Sequence, residues 1–315
     1  MKITAIGVIK NAADVIETCI RGNSWLIDQF VFLDNMSTDR TVEILQALQA
    51  EGFQIEVISD TEIQHLQAKK MDKLCAYVYE KYPSDFIIPI DDDEIIIPEN
   101  KNISISDARE ALCSLNRDSL YYASWRVYIP TEADDNTEVN VAKRQTYCFA
   151  NNVSTHSKVI IPSELTQEDG FHLLDGNHGA IFTREHGNFL FPYLKFAHFP
   201  IRSAEQIKSK ALIGWTNLLS IPDRCKVNGI HWGTIYEQVK EGNPLTVDML
   251  QTLSALYLLP DAEIEVVRYP VSLPSEYLQL KYTRSNEVNA LENYCYYVES
   301  LAAKYGELVK QLKDE

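Results

Sequence analysis

The chain reads as an α/β protein, with a mostly parallel central sheet, helices on both faces, and a mainly helical C-terminal region. Three observations carry this reading. Four short apolar runs, at residues 3–9, 30–33, 55–58 and 86–90, alternate with longer amphipathic stretches over the first hundred residues. The runs are continuous and rich in Ile, Val and Phe, as strands buried on both faces are. A strand–helix–strand order repeated without hairpin turns implies parallel pairing with crossover helices. At 315 residues the chain is one large domain or two ordinary ones.

The elements follow in order. Residues 3–9 form the first strand, and Asn11 is placed to cap a helix over about 12–25. Residues 30–33 are the second strand. Ser37 or Thr38 then caps a helix from about 40 to 51, with Val42, Leu45 and Leu48 on one stripe and Gly52 at its end. Residues 55–58 are the third strand, and 69–82 a helix stopped by Pro83. The fourth strand, 86–90, runs straight into Asp91-Asp92-Asp93-Glu94. Beyond it, 105–115 is helical, 121–129 and 147–161 are strands with loops between, and 173–183 is a further strand. Helical stretches are expected near 203–220, 246–258 and 286–313, with a boundary near residue 200.

Composition removes several functions. Asp plus Glu is 45 against 29 Lys plus Arg, a net charge of −16. Proteins that ride on nucleic acid or dock on an anionic leaflet need a basic face, so neither role fits. A local basic pocket for one small phosphate ligand remains compatible. No apolar run reaches the roughly 18–20 residues that span a bilayer, and the N-terminus lacks the layout of a secretion signal. The six cysteines form no CxxC pair. They are expected as reduced thiols in a cytoplasmic protein, holding neither a disulfide framework nor a zinc ion.

Two segments carry chemistry. Asp91 to Glu94 follow a buried strand directly, where ligands of open α/β sheets bind. Hard oxygen ligands there suit Mg²⁺ or Mn²⁺. A solvated acidic turn is the alternative, but Ile95-Ile96-Ile97 bury the other flank, so the cluster looks placed. The second segment, 34–41 (Asp-Asn-Met-Ser-Thr-Asp-Arg-Thr), joins a strand to a helix and can aim polar groups at a nucleotide. Its alternative is a well-capped loop.

In this order the pieces resemble the nucleotide-sugar-dependent glycosyltransferases of the GT-A fold, specifically the inverting family 2. Three blocks carry the resemblance. Val8-Ile9-Lys10-Asn11 is similar to the family's first strand and turn. Residues 34–41 match its D-x-S-x-D-x-T block. Ile90 to Glu94 look like its DXD motif in the D-x-D-E form. A weaker stretch, His198 to Ser203, is similar to an H-[YF]-P-x-[RK]-S segment of a bacterial subgroup. The resemblance covers about residues 1–100. It implies a GT-A catalytic domain over 1–200, with 1–100 the nucleotide-sugar half and 101–200 the acceptor side, and a helical region over 201–315.

By that resemblance, Ile9, Asn11, Asp34, Ser37 and Asp39 line the donor's base and ribose, and Asp91 and Asp92 its diphosphate. Lys69 is a further donor-site candidate, with the same ambiguity for Lys70. Asp91, Asp93 and His198 would hold Mn²⁺ or Mg²⁺, with Glu94 supporting them. Arg202 and Lys208 are candidates for the diphosphate. The general base that an inverting transferase requires is expected at Asp169, in the Glu168-Asp169 pair, or at His178, with Asp175 behind them. Trp215, Trp232, Tyr236 and Tyr257 are either an acceptor platform or helix packing. Tyr294, Tyr297, Leu301, Leu308 and Leu312 form a stripe that is either core or a dimer seam.

The implied activity is transfer of a sugar, from a UDP-sugar by preference, to a glycan, lipid-linked or small acceptor with inversion. The implied setting is bacterial surface-polysaccharide synthesis, with possible contact to the inner membrane face and a possible homodimer. Two other readings stand beside it. A nucleotidyltransferase shares the α/β layout but carries a glycine-rich basic loop near its N-terminus, which Gly7 to Ala13 lack. A cation- or nucleotide-sugar-binding module without turnover is the other.

Overall fold

The computed structural model describes residues 1–63, 66–150, 157–221, 230–258 and 265–314. The first half runs β1 (Ile3–Ile9), α1 (Ile16–Asn23), β2 (Gln29–Asp34), α2 (Thr41–Ala50), β3 (Ile55–Ser59), α3 (Gln67–Lys81) and β4 (Phe86–Pro89). Next come β5 (Glu94–Pro98), α4 (Ile105–Cys113), β6 (Ser119–Ile129), α5 (Val141–Arg144), β7 (Tyr147–Phe149) and β8 (Ser157–Pro162). A two-stranded hairpin, β9 (His172–Leu173) with β10 (Ala180–Ile181), precedes β11 (Gly187–His198). The C-terminal part holds α6 (Ala204–Leu219), α7 (Ile230–Lys240), α8 (Val247–Ser254), β12 (Val266–Arg268) and α9 (Ala290–Asp314).

The main sheet runs β12-β7-β6-β8-β4-β1-β2-β3. Its N-terminal part, β4-β1-β2-β3, is parallel throughout. From β8 onward the neighbours on that path pair antiparallel, and β11 bridges β6 and β5. Strand residues alternate between two helix layers, as the two-residue period of a strand requires. Ile3, Ala5, Phe30, Phe32, Phe86 and Ile88 pack with Ile16, Ile20, Leu45 and Leu48 of α1 and α2. Ile6, Val31 and Ile87 pack on the other face with Met71, Leu74, Cys75 and Val78 of α3. Each such fully buried side chain contributes about 1.5–3 kcal/mol.

Gly7 is the tightest point of this sheet. A Cβ there would lie 2.5 Å from the Ile90 carbonyl oxygen and 3.1 Å from the Phe32 ring. The backbone that carries Ile90 into the acidic cluster therefore cannot approach β1 past a side chain. Gly7→Ala is expected to cost about 1–3 kcal/mol through forced backbone movement, read as a lower urea midpoint.

Several local expectations change. Helix α1 starts at Ile16 rather than near residue 12, because Asn11 adopts φ 50° and its side chain accepts a hydrogen bond from Thr38 N at 2.8 Å. Ser37 and Thr38 do not cap α2, whose N-cap is Arg40. The run 173–183 is a hairpin, turned where Gly176 and Asn177 take positive φ. Strand β11 ends at His198, as a strand-end histidine after Leu194–Ala197 suggests, and it contains Pro192. The register with β6 shifts between Leu190 and Lys195, which accommodates the proline without a ladder bond.

Residues beyond 200 pack back on the same body. Leu278 joins the core under α1, and Glu287 pairs with Arg40 at 2.5 Å. Helices α6 and α7 interlock through reciprocal contacts, Trp232 against Gly214 and Trp215 against Gly233. Tyr297 is buried on Ile63 and Ile213, with Tyr294 and Leu301 packed beside it, whereas Leu291, Tyr305, Leu308 and Leu312 are exposed. The five cysteines among the described residues are free, and Cys225 lies outside those residues. Among the described residues no helix is long and apolar enough to cross a membrane.

Candidate active site

A cavity of about 370 Å³ opens at the C-terminal ends of β1 and β4. Parallel strands direct their last residues into such a crevice. Ile9, Lys10 and Asn11 come from the end of β1, and Asp91, Asp92 and Asp93 from the end of β4. Trp125 of β6, Arg202, Lys210 of α6, Trp232 of α7 and Tyr257 close the opposite side.

The acidic cluster is held by the chain's own cations. Lys158, fully buried on β8, places its ammonium 2.6 Å from Asp91 Oδ2 and 3.3 Å from Glu94 Oε1. Asn177 donates to Asp91 Oδ1 at 3.3 Å, and Glu94 accepts from the Asp91 backbone N–H at 2.9 Å. Asp93 is buried between Lys210 at 3.1 Å, Arg202 at 3.4 Å and His198 Nε2 at 3.5 Å. Arg202 is fixed in turn by Asp14, through two contacts of 2.7 and 3.0 Å. His198 reaches this place because β11 pairs with β5, which sets it opposite Glu94. The amide of Asn23 in α1 anchors β5, donating to the Glu94 carbonyl and accepting from Ile96 N.

Burial and charge shift these groups in opposite directions. Burial, reinforced by Asp93, pushes Asp92 up to about 7. Burial also pushes Glu94 up to about 8, against Lys158. For Asp93, burial acts upward, but Lys210, His198 and Arg202 together hold it well below the usual carboxylate range. Burial lowers His198, with Asp93 opposing. At the far end of the cavity burial brings Lys10 down to about 8, with Lys70 adding to the effect.

The structure sorts the residues expected from the sequence. Ile9, Asn11, Asp91, Asp92, Asp93 and His198 all line the cavity. Asp34 ends β2 but does not line it; its carboxylate accepts from Ser37 N at 3.3 Å, and Asn35 faces the cavity instead. Ser37 and Asp39 brace the loop, bonding to the backbone N–H of Asn11 and Ala13. Lys69 is exposed and lies along the groove between β3 and α3, while Lys70 reaches the cavity and pairs with Asp60 at 2.6 Å. Lys208 is half-buried, does not line the cavity and pairs with Glu205.

Asp169 and Asp175 are exposed and do not line the cavity. The Glu168-Asp169 pair ties a surface turn, Asp169 accepting from Thr183 and Glu168 from Arg184 and His186. His178 sits under the cavity wall, its Nδ1 3.1 Å from the Ser157 carbonyl and its ring edge-on to Trp125. Of the aromatic residues, Trp232 and Tyr257 line the cavity, and Trp215 and Tyr236 pack on each other. Lys158, Lys210, Asp14 and Asn177 were not foreseen. The one local signal was a lysine opening the apolar run Lys158-Val-Ile-Ile161.

Residues 4–127 match the family described as Glycosyl transferase family 2. Through this segment the chain resembles family 2 glycosyltransferases. No curated protein matches the transferase by sequence. Solved structures similar to it include S. aureus TarS 1–349, with 14% identity over 75% of this chain and 69% of that one and a TM-score of 0.41. A second is the mannosyltransferase PcManGT from Pyrobaculum calidifontis in complex with GDP-Man and Mn²⁺, with 13% identity, 81% and 73% coverage and a TM-score of 0.40. A third is glucosyl-3-phosphoglycerate synthase from Mycobacterium tuberculosis with Mn²⁺, UDP-glucose and phosphoglyceric acid, with 16% identity, 70% and 81% coverage and a TM-score of 0.36. These are distant likenesses.

The divalent cation that the resemblance implies meets a donor set already in use. Both oxygens of Asp91 are engaged, by Lys158 and Asn177, and both of Asp93, by Lys210, Arg202 and His198. Among the described residues no group of three or more His, Cys, Asp or Glu is arranged to hold a metal ion. Two unit charges 4 Å apart interact by about 4 kcal/mol at an effective dielectric of 20, so each of these cations would repel a dication by about twice that. Asp91 and Asp93 as arranged do not fit a bound Mn²⁺ or Mg²⁺.

Proposed function

We propose that this transferase moves a sugar from a nucleoside-diphosphate sugar, UDP-linked by preference, to a hydroxyl of a glycan, lipid-linked or small acceptor with inversion at C1. The proposed setting is surface-polysaccharide synthesis at the cytoplasmic face of a bacterial membrane. One observation carries the donor site: a single cavity joins the ends of β1 and β4, a buried acid–cation cluster and an aromatic wall. The nucleoside fits the end lined by Ile9, Asn11, Asn35 and Lys70, and the diphosphate the stretch toward Arg202 and Lys210. Trp232 and Tyr257 offer faces on which a sugar ring stacks.

In the reaction the acceptor oxygen forms a bond to C1 while the C1–O bond to the diphosphate breaks. The bonding pair leaves with the diphosphate, and the acceptor proton passes to a base. Asp92 is assigned that proton. It lines the cavity half-buried, while Asp91 and Asp93 are each drawn into ion pairs with buried cations and burial pushes Glu94 up to about 8. Asp92→Asn is expected to lower kcat by about 100-fold or more while leaving nucleotide affinity within about threefold. Binding of UDP, GDP, CDP and ADP by calorimetry, followed by hydrolysis or transfer with the matching sugar nucleotide, tests the reading. A chain that binds none of these nucleotides is not acting through this cavity.

A further inference from the structure

We infer that the donor's diphosphate is neutralised by Lys210, with Arg202 behind it, and that the nucleotide binds without a divalent cation. This rests on the donor-site reading above. The first support is the state of the carboxylates. Asp91 and Asp93, which would have to supply oxygens to a cation, already face three of the chain's own positive charges, two of them nine-tenths or more buried. Lys158 has nowhere to go: its side chain is 0% exposed, and it lies 5.4 Å from the Trp125 ring centroid. A cation entering between Asp91 and Asp93 would leave that ammonium buried beside it.

The second support is which cation retains donors. Arg202 is nearly spent. Its Nε and Nη2 go to Asp14, and its Nη1 to Asp93 and the Phe199 carbonyl. Lys210 spends one contact on Asp93, and its side chain is 36% exposed toward the cavity. An ammonium carries three donors, so Lys210 can hold Asp93 and still present N–H groups to a phosphate oxygen. The rest of its helix face agrees. Gln206, Ser209, Ile213 and Asn217 line the same cavity at helical spacing, which orients Lys210 inward and Lys208 outward. Asp93 then positions the lysine, in place of a metal ion.

The test is calorimetric binding of UDP, GDP, CDP and ADP to the full chain in EDTA and in Mn²⁺. One nucleotide should bind with Kd values in the two buffers within about threefold of each other. Lys210→Gln should weaken that binding by about 10-fold or more, as loss of a hydrogen bond to a charged group does, and Lys210→Arg should restore much of it. Lys208→Gln, on the outward face, should leave it unchanged. Binding that appears only with Mn²⁺ overturns the inference and leaves the donor site standing. Undiminished binding by a folded Lys210→Gln removes the role of Lys210. Binding of no nucleotide in either buffer overturns the donor-site reading, and this inference with it.

Discussion

Lys158→Met is expected to destabilise the transferase by about 3–5 kcal/mol, the usual loss when one partner of a buried ion pair is removed. Lys158 belongs to β8 and pairs with Ala123 of β6, in the interior of the sheet. Its ammonium lies between Asp91 and Glu94. Methionine fills a similar volume without charge, so the loss measures electrostatics and not a cavity. Without the lysine, Glu94, whose side chain is 0% exposed, faces Asp91 with no compensating cation. Urea unfolding should show the loss as a lower midpoint at unchanged slope. Glu94→Gln in the same background should recover part of it, and the double-mutant cycle isolates the pair. A single-mutant loss below about 1 kcal/mol, the value of an exposed pair, would mean that Lys158 does not carry the cluster's charge.

The same cluster shows where sequence reading stops. The ends of β1 and β4 were legible because each strand is a continuous apolar run that stops at a polar residue, and because β-α-β order fixes parallel neighbours. The sequence alone therefore places the carboxylates at 91–94 at a strand end. Their cations were not, since Lys158 and Lys210 lie 67 and 117 residues from their partners and carry no local motif. Helical phase decided between neighbours in two places. Lys70 and Lys210 face the cavity, and Lys69 and Lys208 do not. One residue on a helix is a turn of about 100° and two are about 200°, which a motif without a fixed register does not resolve. The 34–41 block was read as ligand-facing, yet Ser37, Asp39 and Thr41 spend their hydrogen bonds on Asn11, Ala13 and Ala12. Polar loop residues bond backbone and ligand through the same groups, so the pattern alone does not separate the two. The acidic pair at 168–169 lies outside the cavity lining for a related reason. Sequence distance from the DXD motif does not fix which side of the sheet a loop occupies.

Glu17→Ala is expected to cost about 3–5 kcal/mol and to free the C-terminal strap. Glu17, in α1, is fully buried. It accepts from the backbone N–H groups of Lys281, Tyr282 and Thr283 at 2.8, 2.9 and 2.8 Å, from Thr283 Oγ1 at 3.0 Å and from Arg21 Nε at 2.8 Å. Arg21 passes on to Glu51 at 2.6 Å, and Glu51 receives Lys281 Nζ at 2.7 Å. One carboxylate thus fixes the backbone that leads into α9, and Asn293 of α9 donates to Ser209, one residue before Lys210. The alanine variant should lose amide protection over 281–283 in hydrogen exchange and weaken nucleotide binding through α6. The pH dependence gives a second readout. Burial acts to raise Glu17, but Arg21 and the strap N–H groups outweigh it, so its pKa lies below the ordinary value. A depressed folded-state pKa contributes stability that is present above the unfolded value, about 4.3, and is lost as pH falls through the folded one. Wild type should therefore lose stability more steeply below about pH 4.3 than Glu17→Gln, whose amide oxygen still accepts but does not titrate. Equal slopes in the two proteins, or a strap that exchanges freely in wild type, would show that α9 holds the C-terminal region without this carboxylate.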